Sequence, residues 1–108
     1  QMVDLSHEVS ELTPHWHGFS SLKTSTLYEL EKDGFTTHTY ELVGQYGTHV
    51  DAPIHFVKNQ RTLDTFTLED MVMLYDLCPP TGAVIFCTFP KIKNGTGFTA
   101  RCFALCPR

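Results

Sequence analysis

The chain has 108 residues, 8 Lys and Arg against 12 Asp and Glu, and a formal net charge of −4. That length suits one domain with a real core and is too short for two. With 42% hydrophobic and 19% charged residues, the composition excludes a disordered chain.

No basic run could track a nucleic-acid backbone, so no nucleic-acid partner is expected. No apolar stretch approaches the roughly 20 residues of a membrane span, so no membrane partner is expected either. Gln1-Met2-Val3-Asp4 has no basic region followed by an apolar run, so no leader is expected within these residues. The compartment, cytoplasmic or secreted, is left open.

Met2 to Val9 alternates loosely and predicts a short strand. Glu11 to Ser21, with Pro14 and Gly18, reads as a loop. Lys23 to Leu30 and Phe35 to Val43 are rich in Thr, Tyr, Leu and Phe, and Asp33-Gly34 between them predicts a hairpin. A helix over Leu22 to Lys32 competes, because Leu27, Leu30 and Glu31 also fit a 3.6 period. Gly44 to Phe56 holds too much Gly and Pro for an ordinary strand. Thr67 to Leu77 predicts a helix, with Thr67 and Asp70 at capping spacing, an apolar face of Leu68, Met71, Val72 and Tyr75, and Pro79-Pro80 as its stop. Ala83 to Phe89 predicts a short buried strand, Lys91 to Gly97 is turn chemistry, and Phe98 to Arg108 shows no clear period.

Four cysteines stand at 78, 87, 102 and 106. None forms Cys-x-x-Cys, and no nearby His completes a zinc knuckle, so free thiols or one local disulfide are expected. Asn94-Gly95-Thr96 fits a glycosylation sequon, a weak signal without evidence of secretion.

The chemistry concentrates in Gly44-Gln45-Tyr46-Gly47-Thr48-His49-Val50-Asp51-Ala52-Pro53-Ile54-His55-Phe56. Ligand-type side chains fall at 45, 49, 51 and 55, so an extended backbone would turn all four to one face. Extension alone would leave Gln45 and His55 roughly 33 Å apart, far beyond one metal's reach. The segment must therefore bend, and Gly44, Gly47 and Pro53 are the candidate hinges. His49 and Asp51, two apart, can meet one ion without a bend, and their mixed N/O donors suit Zn, Mn or Fe(II) better than Ca. His55 could add a ligand or move a proton beside the ion, and Thr48 could orient a ligand from behind. The competing reading is a polar turn whose His and Asp bond the backbone.

This segment resembles the signature His-x-Gly-Thr-His-x-Asp-x-Pro-x-His-Phe of the cyclase-like metal-dependent hydrolases, which include bacterial kynurenine formamidases and isatin hydrolases. Every fixed position matches except the first, where Gln45 stands for His. Val3 to His7 and Thr13 to Gly18 resemble the family's first strand and substrate loop. The resemblance is strongest over residues 2–77, leaving 78–108 as an atypical tail within a single domain spanning 1–108. It implies an α+β, mixed α/β fold of the swivelling β/β/α type. It also implies a divalent Mn or Zn ion held by His49 and Asp51, with Gln45 in a third ligand position. An amide oxygen is a weaker and harder donor than imidazole, which favours Mn. His55 is implied as the catalytic proton shuttle, and Trp16 and Phe56 as substrate-binding aromatics, with simple packing of a large ring as the competing reading for Trp16. The implied reaction is hydrolysis of amide or lactam bonds in a small aromatic substrate, as in arylformamidases of kynurenine and tryptophan metabolism, by a homo-oligomer.

Family members are longer, and their second half adds a His and a Glu near the metal in a Gly-His-Glu-Thr-like stretch. Here the last His is His55. Ala83 to Phe89 resembles a later core strand, as though an intervening segment were absent. The expectation is a truncated or internally deleted member, with a catalytically inactive metal-binding or interaction module as the alternative. Of the remaining residues, His7 is expected to pack or cap, His15 and His17 to lie in a solvated loop, and His38 to sit inertly in its strand. Arg61 and Asp64 are expected to form a local ion pair or turn, and Phe66, Met71, Met73 and Leu74 to be core.

Overall fold

The computed structural model of the protein describes residues 1–75 and 82–107 (of 73–75, the backbone alone). Eight short strands carry it: β1 Met2–Asp4, β2 Lys23–Tyr28, β3 Thr37–Glu41, β4 His49–Asp51, β5 Val72–Tyr75, β6 Ala83–Thr88, β7 Gly97–Thr99 and β8 Arg101–Leu105. The α-helix among the described residues is the single turn α1, Leu30–Asp33. The result is the expected mixed α/β class, dominated here by strands.

The strands form a four-stranded sheet of order β1-β8-β6-β5 and two ribbons, β2-β3 and β4-β7, antiparallel throughout. Both ends of the chain meet in the sheet: Met2 faces Leu105 and Asp4 faces Phe103. Arg101 on β8 also pairs with the Asp4 carboxylate. Phe86 and Phe103, opposite one another on β6 and β8, stack at 5.0 Å.

The hairpin is present, and the competing helix survives only as α1 at its tip. Every residue of β2 is exposed, and a Lys23–Glu41 pair spans the ribbon at 3.0 Å. The predicted strand from Met2 ends at Asp4, where the Ser6 N–H bonds the Asp4 carboxylate at 3.0 Å and turns the chain.

Two expectations are corrected. The predicted helix from Thr67 is a 3-10 turn, Glu69–Met71, followed by β5. The Thr67 N–H does donate to Asp70 at 2.7 Å, as a cap would. The chain then extends because Val72 to Tyr75 pair with Phe86 to Ala83. Branched and aromatic residues facing a ready strand outweigh a helix too short to sustain itself. Pro79-Pro80 and Cys78 lie outside the described residues, as do the side chains of Met73 and Leu74. Second, the patternless tail forms β7 and β8, whose partners lie far away in sequence. The ion pair or turn expected at Arg61 and Asp64 is present in both forms: Asp64 lies in the 3-10 turn Leu63–Thr65, and Arg61 pairs with Asp70 at 2.6 Å, with Phe66 under its guanidinium at 4.7 Å. Asp64 accepts from the Thr62 hydroxyl at 2.7 Å and the Asn94 N–H at 3.0 Å.

The core lies under the ligand-rich segment and along β6 and β8. Tyr46 and Leu63 are fully enclosed; Leu22, Ala52, Ala83, Cys87, Ala100 and Ala104 are buried, together with Thr13 and Gln45. Phe66 and Met71 are half-buried. Among the described residues no helix is long and apolar enough to cross a membrane.

Candidate functional site

The site is built on a bend. Gly44 to Thr48 passes over β7, and the Thr99 hydroxyl donates to the Tyr46 carbonyl at 2.9 Å. Gly47 has φ +66°, a left-handed conformation that most side chains disfavour, and a Cβ there would meet Thr13 Cγ2 at 2.7 Å. The predicted hinge at Gly47 is therefore real. Tyr46 anchors the bend from inside: its ring is wholly buried, its hydroxyl donates to the Ser10 carbonyl at 2.9 Å, and His15 lies on it at 4.6 Å.

Beyond the bend, β4 pairs with β7, His49 facing Thr99 and Asp51 facing Gly97. Two residues apart on a strand, His49 and Asp51 share one face. The His49 Nδ1 lies 2.8 Å from the Gly47 carbonyl. A carbonyl only accepts, so Nδ1 carries the proton and Nε2 keeps its lone pair. That lone-pair nitrogen sits 3.7 Å from Asp51 Oδ1.

After Asp51 the chain reverses. Pro53–His55 is a 3-10 turn closed by the His55 N–H on the Ala52 carbonyl at 2.8 Å. The turn returns His55 to the same place, with Nε2 at 4.0 Å from Asp51 Oδ1. Its Nδ1 meets the Gln45 amide nitrogen at 3.4 Å. An amide N–H only donates, so Nδ1 accepts and the His55 proton sits on Nε2, towards Asp51. Gln45 is buried, and the same amide nitrogen bonds the Thr96 hydroxyl at 3.2 Å.

Gln45, His49, Asp51 and His55 thus converge, with Asp51 Oδ1 between the two imidazoles. The three side chains at 49, 51 and 55 are 34%, 34% and 31% exposed, open enough for a ligand to enter from solvent. Two donors at about 2.0–2.2 Å from one ion can stand up to roughly 4 Å apart, so His49 Nε2 and Asp51 Oδ1 can grip a single cation. Among the described residues, no group of three or more His, Cys, Asp and Glu side chains is arranged to hold a metal ion.

Phe56 extends from this cluster, 79% exposed and edge-on to the His55 ring at 4.3 Å. Trp16 is 60% exposed and folds over Gly18, packing with Phe19 at 5.1 Å and His17 at 5.0 Å. Its loop is fastened to the motif through His15 on Tyr46, so His15 is half-buried rather than free in solvent. Thr48 does not reach the cluster as expected: its hydroxyl accepts the His7 backbone N–H at 2.9 Å and fixes the amino-terminal segment. Thr96 and Thr99 brace the motif from 51 and 53 residues away and carry no sequence signal of that role. No local pattern could have revealed partners so distant.

A strand-dominated domain with a His-Asp-His cluster on a bent, Gly- and Pro-framed segment is what the fold and site define. A family model described as "Putative cyclase" matches residues 3–77, about 70% of the chain. The chain belongs to that cyclase family, and its architecture is that of a partial cyclase-like fold. No curated protein matched the chain.

Proposed function

We propose that the protein is a metal-dependent hydrolase of amide or lactam bonds in small aromatic substrates, arylformamidase-like in its chemistry. The observation that carries this reading is the approach of His49 Nε2 and His55 Nε2 to one oxygen of Asp51, at 3.7 and 4.0 Å. His49 and Asp51 would hold the divalent ion, Mn or Zn, with Gln45 beside them in the third position. Such an ion, when bound, polarises a carbonyl and makes water a usable nucleophile near neutral pH. The hydrogen bond from His49 to Gly47 fixes the ring and keeps Nε2 available, the role that outer hydrogen bonds play at metal sites.

His55 moves the proton. Gln45 donates to Nδ1 across a long 3.4 Å contact, which Nδ1 gives up when it takes a proton; the imidazolium so formed delivers its Nε2 proton to the leaving nitrogen and is left neutral, with Nε2 free to accept one in return. Phe56 beside His55 offers an aromatic face to the substrate, and Trp16 offers another from its loop. A homo-oligomer belongs to the same proposal.

A second reading is a metal-binding or interaction module without turnover. It is favoured by the exposed β2-β3 ribbon, where Leu27, Tyr28, Leu30, Phe35 and Tyr40 are each more than 40% exposed. The whole chain exposes 7996 Å², against roughly 6,100 Å² for a compact monomer of this mass.

The test is turnover of an aryl formamide by the Mn- or Zn-supplemented protein. The first reading expects hydrolysis that falls by about 10²–10⁴ in His55→Ala with metal content unchanged. Equal turnover by His55→Ala refutes the shuttle, and absent turnover with retained metal selects the second reading.

A further inference from the structure

Cys87 and Cys102 lie directly opposite each other on β6 and β8. Their sulfur atoms are 3.0 Å apart. The Cys102 carbonyl accepts the Leu5 N–H at 2.9 Å and its own N–H donates to the Ser6 hydroxyl at 2.7 Å. Both backbone groups of Cys102 therefore point towards β1, away from β6. Cys87 and Cys102 form a non-hydrogen-bonded pair, the antiparallel position where opposed Cα atoms come to about 4.5 Å and side chains lie closest. That spacing falls inside the roughly 4.4–6.8 Å window that a disulfide requires.

We propose that Cys87 and Cys102 are a redox-sensitive pair that closes to a cross-strand disulfide in an oxidising environment. The bond joins the two central strands of the sheet and closes a loop that contains β7. Because β7 is the partner of β4, the clamp bears on the strand that carries His49 and Asp51.

The oxidant is a low-molecular-weight disulfide such as oxidised glutathione. Cys102 is half-buried and the more accessible thiol; Cys87 is 8% exposed, and burial pushes its thiol up to about 12. Cys102 therefore reacts first. Its thiolate attacks one sulfur of the oxidant, forming a mixed disulfide and releasing one glutathione thiolate. Cys87 then loses its proton to solvent and displaces the second glutathione from Cys102. Two protein thiols are oxidised, one oxidised glutathione is reduced to two glutathione molecules, and the electrons balance.

The experiment uses the full chain carrying Cys78→Ser and Cys106→Ser, incubated with oxidised glutathione and then alkylated. The expected product is about 2 Da lighter than the reduced chain and takes up no alkylating reagent. Trypsin, cutting after Arg101, then yields two peptides that separate only on reduction. Alkylation of both cysteines, or a lasting glutathione adduct on Cys102, overturns the proposal. Should the variant not fold, the native chain is digested without reduction: an 87–102 link supports the proposal, and links of either cysteine to Cys78 or Cys106 in its place overturn it. Amide exchange in Gly97–Thr99 should slow at least about tenfold on oxidation. Unchanged exchange removes the connection to β4.

Discussion

Replacing Tyr46 by Phe tests the claim that the bend is held from inside. Tyr46 is completely buried, and its hydroxyl reaches the Ser10 carbonyl at 2.9 Å. Phenylalanine keeps the ring, the contact with His15 and the volume, so no cavity opens. What disappears is one hydrogen bond; the Ser10 carbonyl keeps the Thr13 N–H at 3.2 Å as its remaining donor. With the acceptor still partnered, the loss is that of one net hydrogen bond, about 0.5–1.5 kcal/mol. The loop around Ser10 retains its other tie, because the Thr13 hydroxyl accepts the Ser10 N–H at 2.6 Å and donates to the Glu8 carbonyl at 2.7 Å. The damage should therefore stay local. Urea unfolding should show a lower midpoint with an unchanged m-value, and the melting temperature should fall by roughly 2–12 °C. A midpoint indistinguishable from the native protein would refute the idea that Tyr46 fastens the motif to the amino-terminal loop.

Gly97→Ala should disturb the site without replacing any proposed ligand. A Cβ at 97 would meet the Gln45 amide nitrogen and the Val50 carbonyl, each at 2.6 Å. The expected result is a loss of about 1–3 kcal/mol and weaker metal retention; native-like metal titration would contradict the placement of Gln45. Asp70→Asn should flatten the acid limb of the stability curve. The Arg61 hydrogen bond and the Thr67 N–H hold the Asp70 carboxyl well below the usual carboxylate range. A carboxyl so depressed adds stability at pH values above its unfolded pKa, and that stability is lost as pH falls through the folded value. The native protein should therefore lose more stability than the variant between neutral pH and strong acid, by a modest amount because the pair is exposed; parallel acid profiles would refute it.

The hairpin and the bend could be read from sequence because each has a local cause. Asp33-Gly34 marks the tip, and Gly47 and Pro53 sit where the backbone turns. The identity of the face was also legible, since residues 49 and 51 on one strand share a side. What sequence could not show was how position 55 returns: a single 3-10 turn, not continued extension, carries His55 back to Asp51. Val72 to Tyr75 departs from its predicted helix for a related reason. Its helical spacing is genuine, but pairing with β6 decides its conformation. Phe98 to Leu105 gave no period because two strands of three and five residues meet at Ala100, too short for either pattern to register. Thr96, which supports Gln45, was visible only as part of a turn.

The central claim is tested most directly by metal content. Calorimetric titration of the metal-free protein with Mn and with Zn, backed by elemental analysis, should show one ion per chain. His49→Ala and Asp51→Ala should each lose it, while His55→Ala should keep it. No binding to the native chain, or equal binding by all four proteins, would contradict the account.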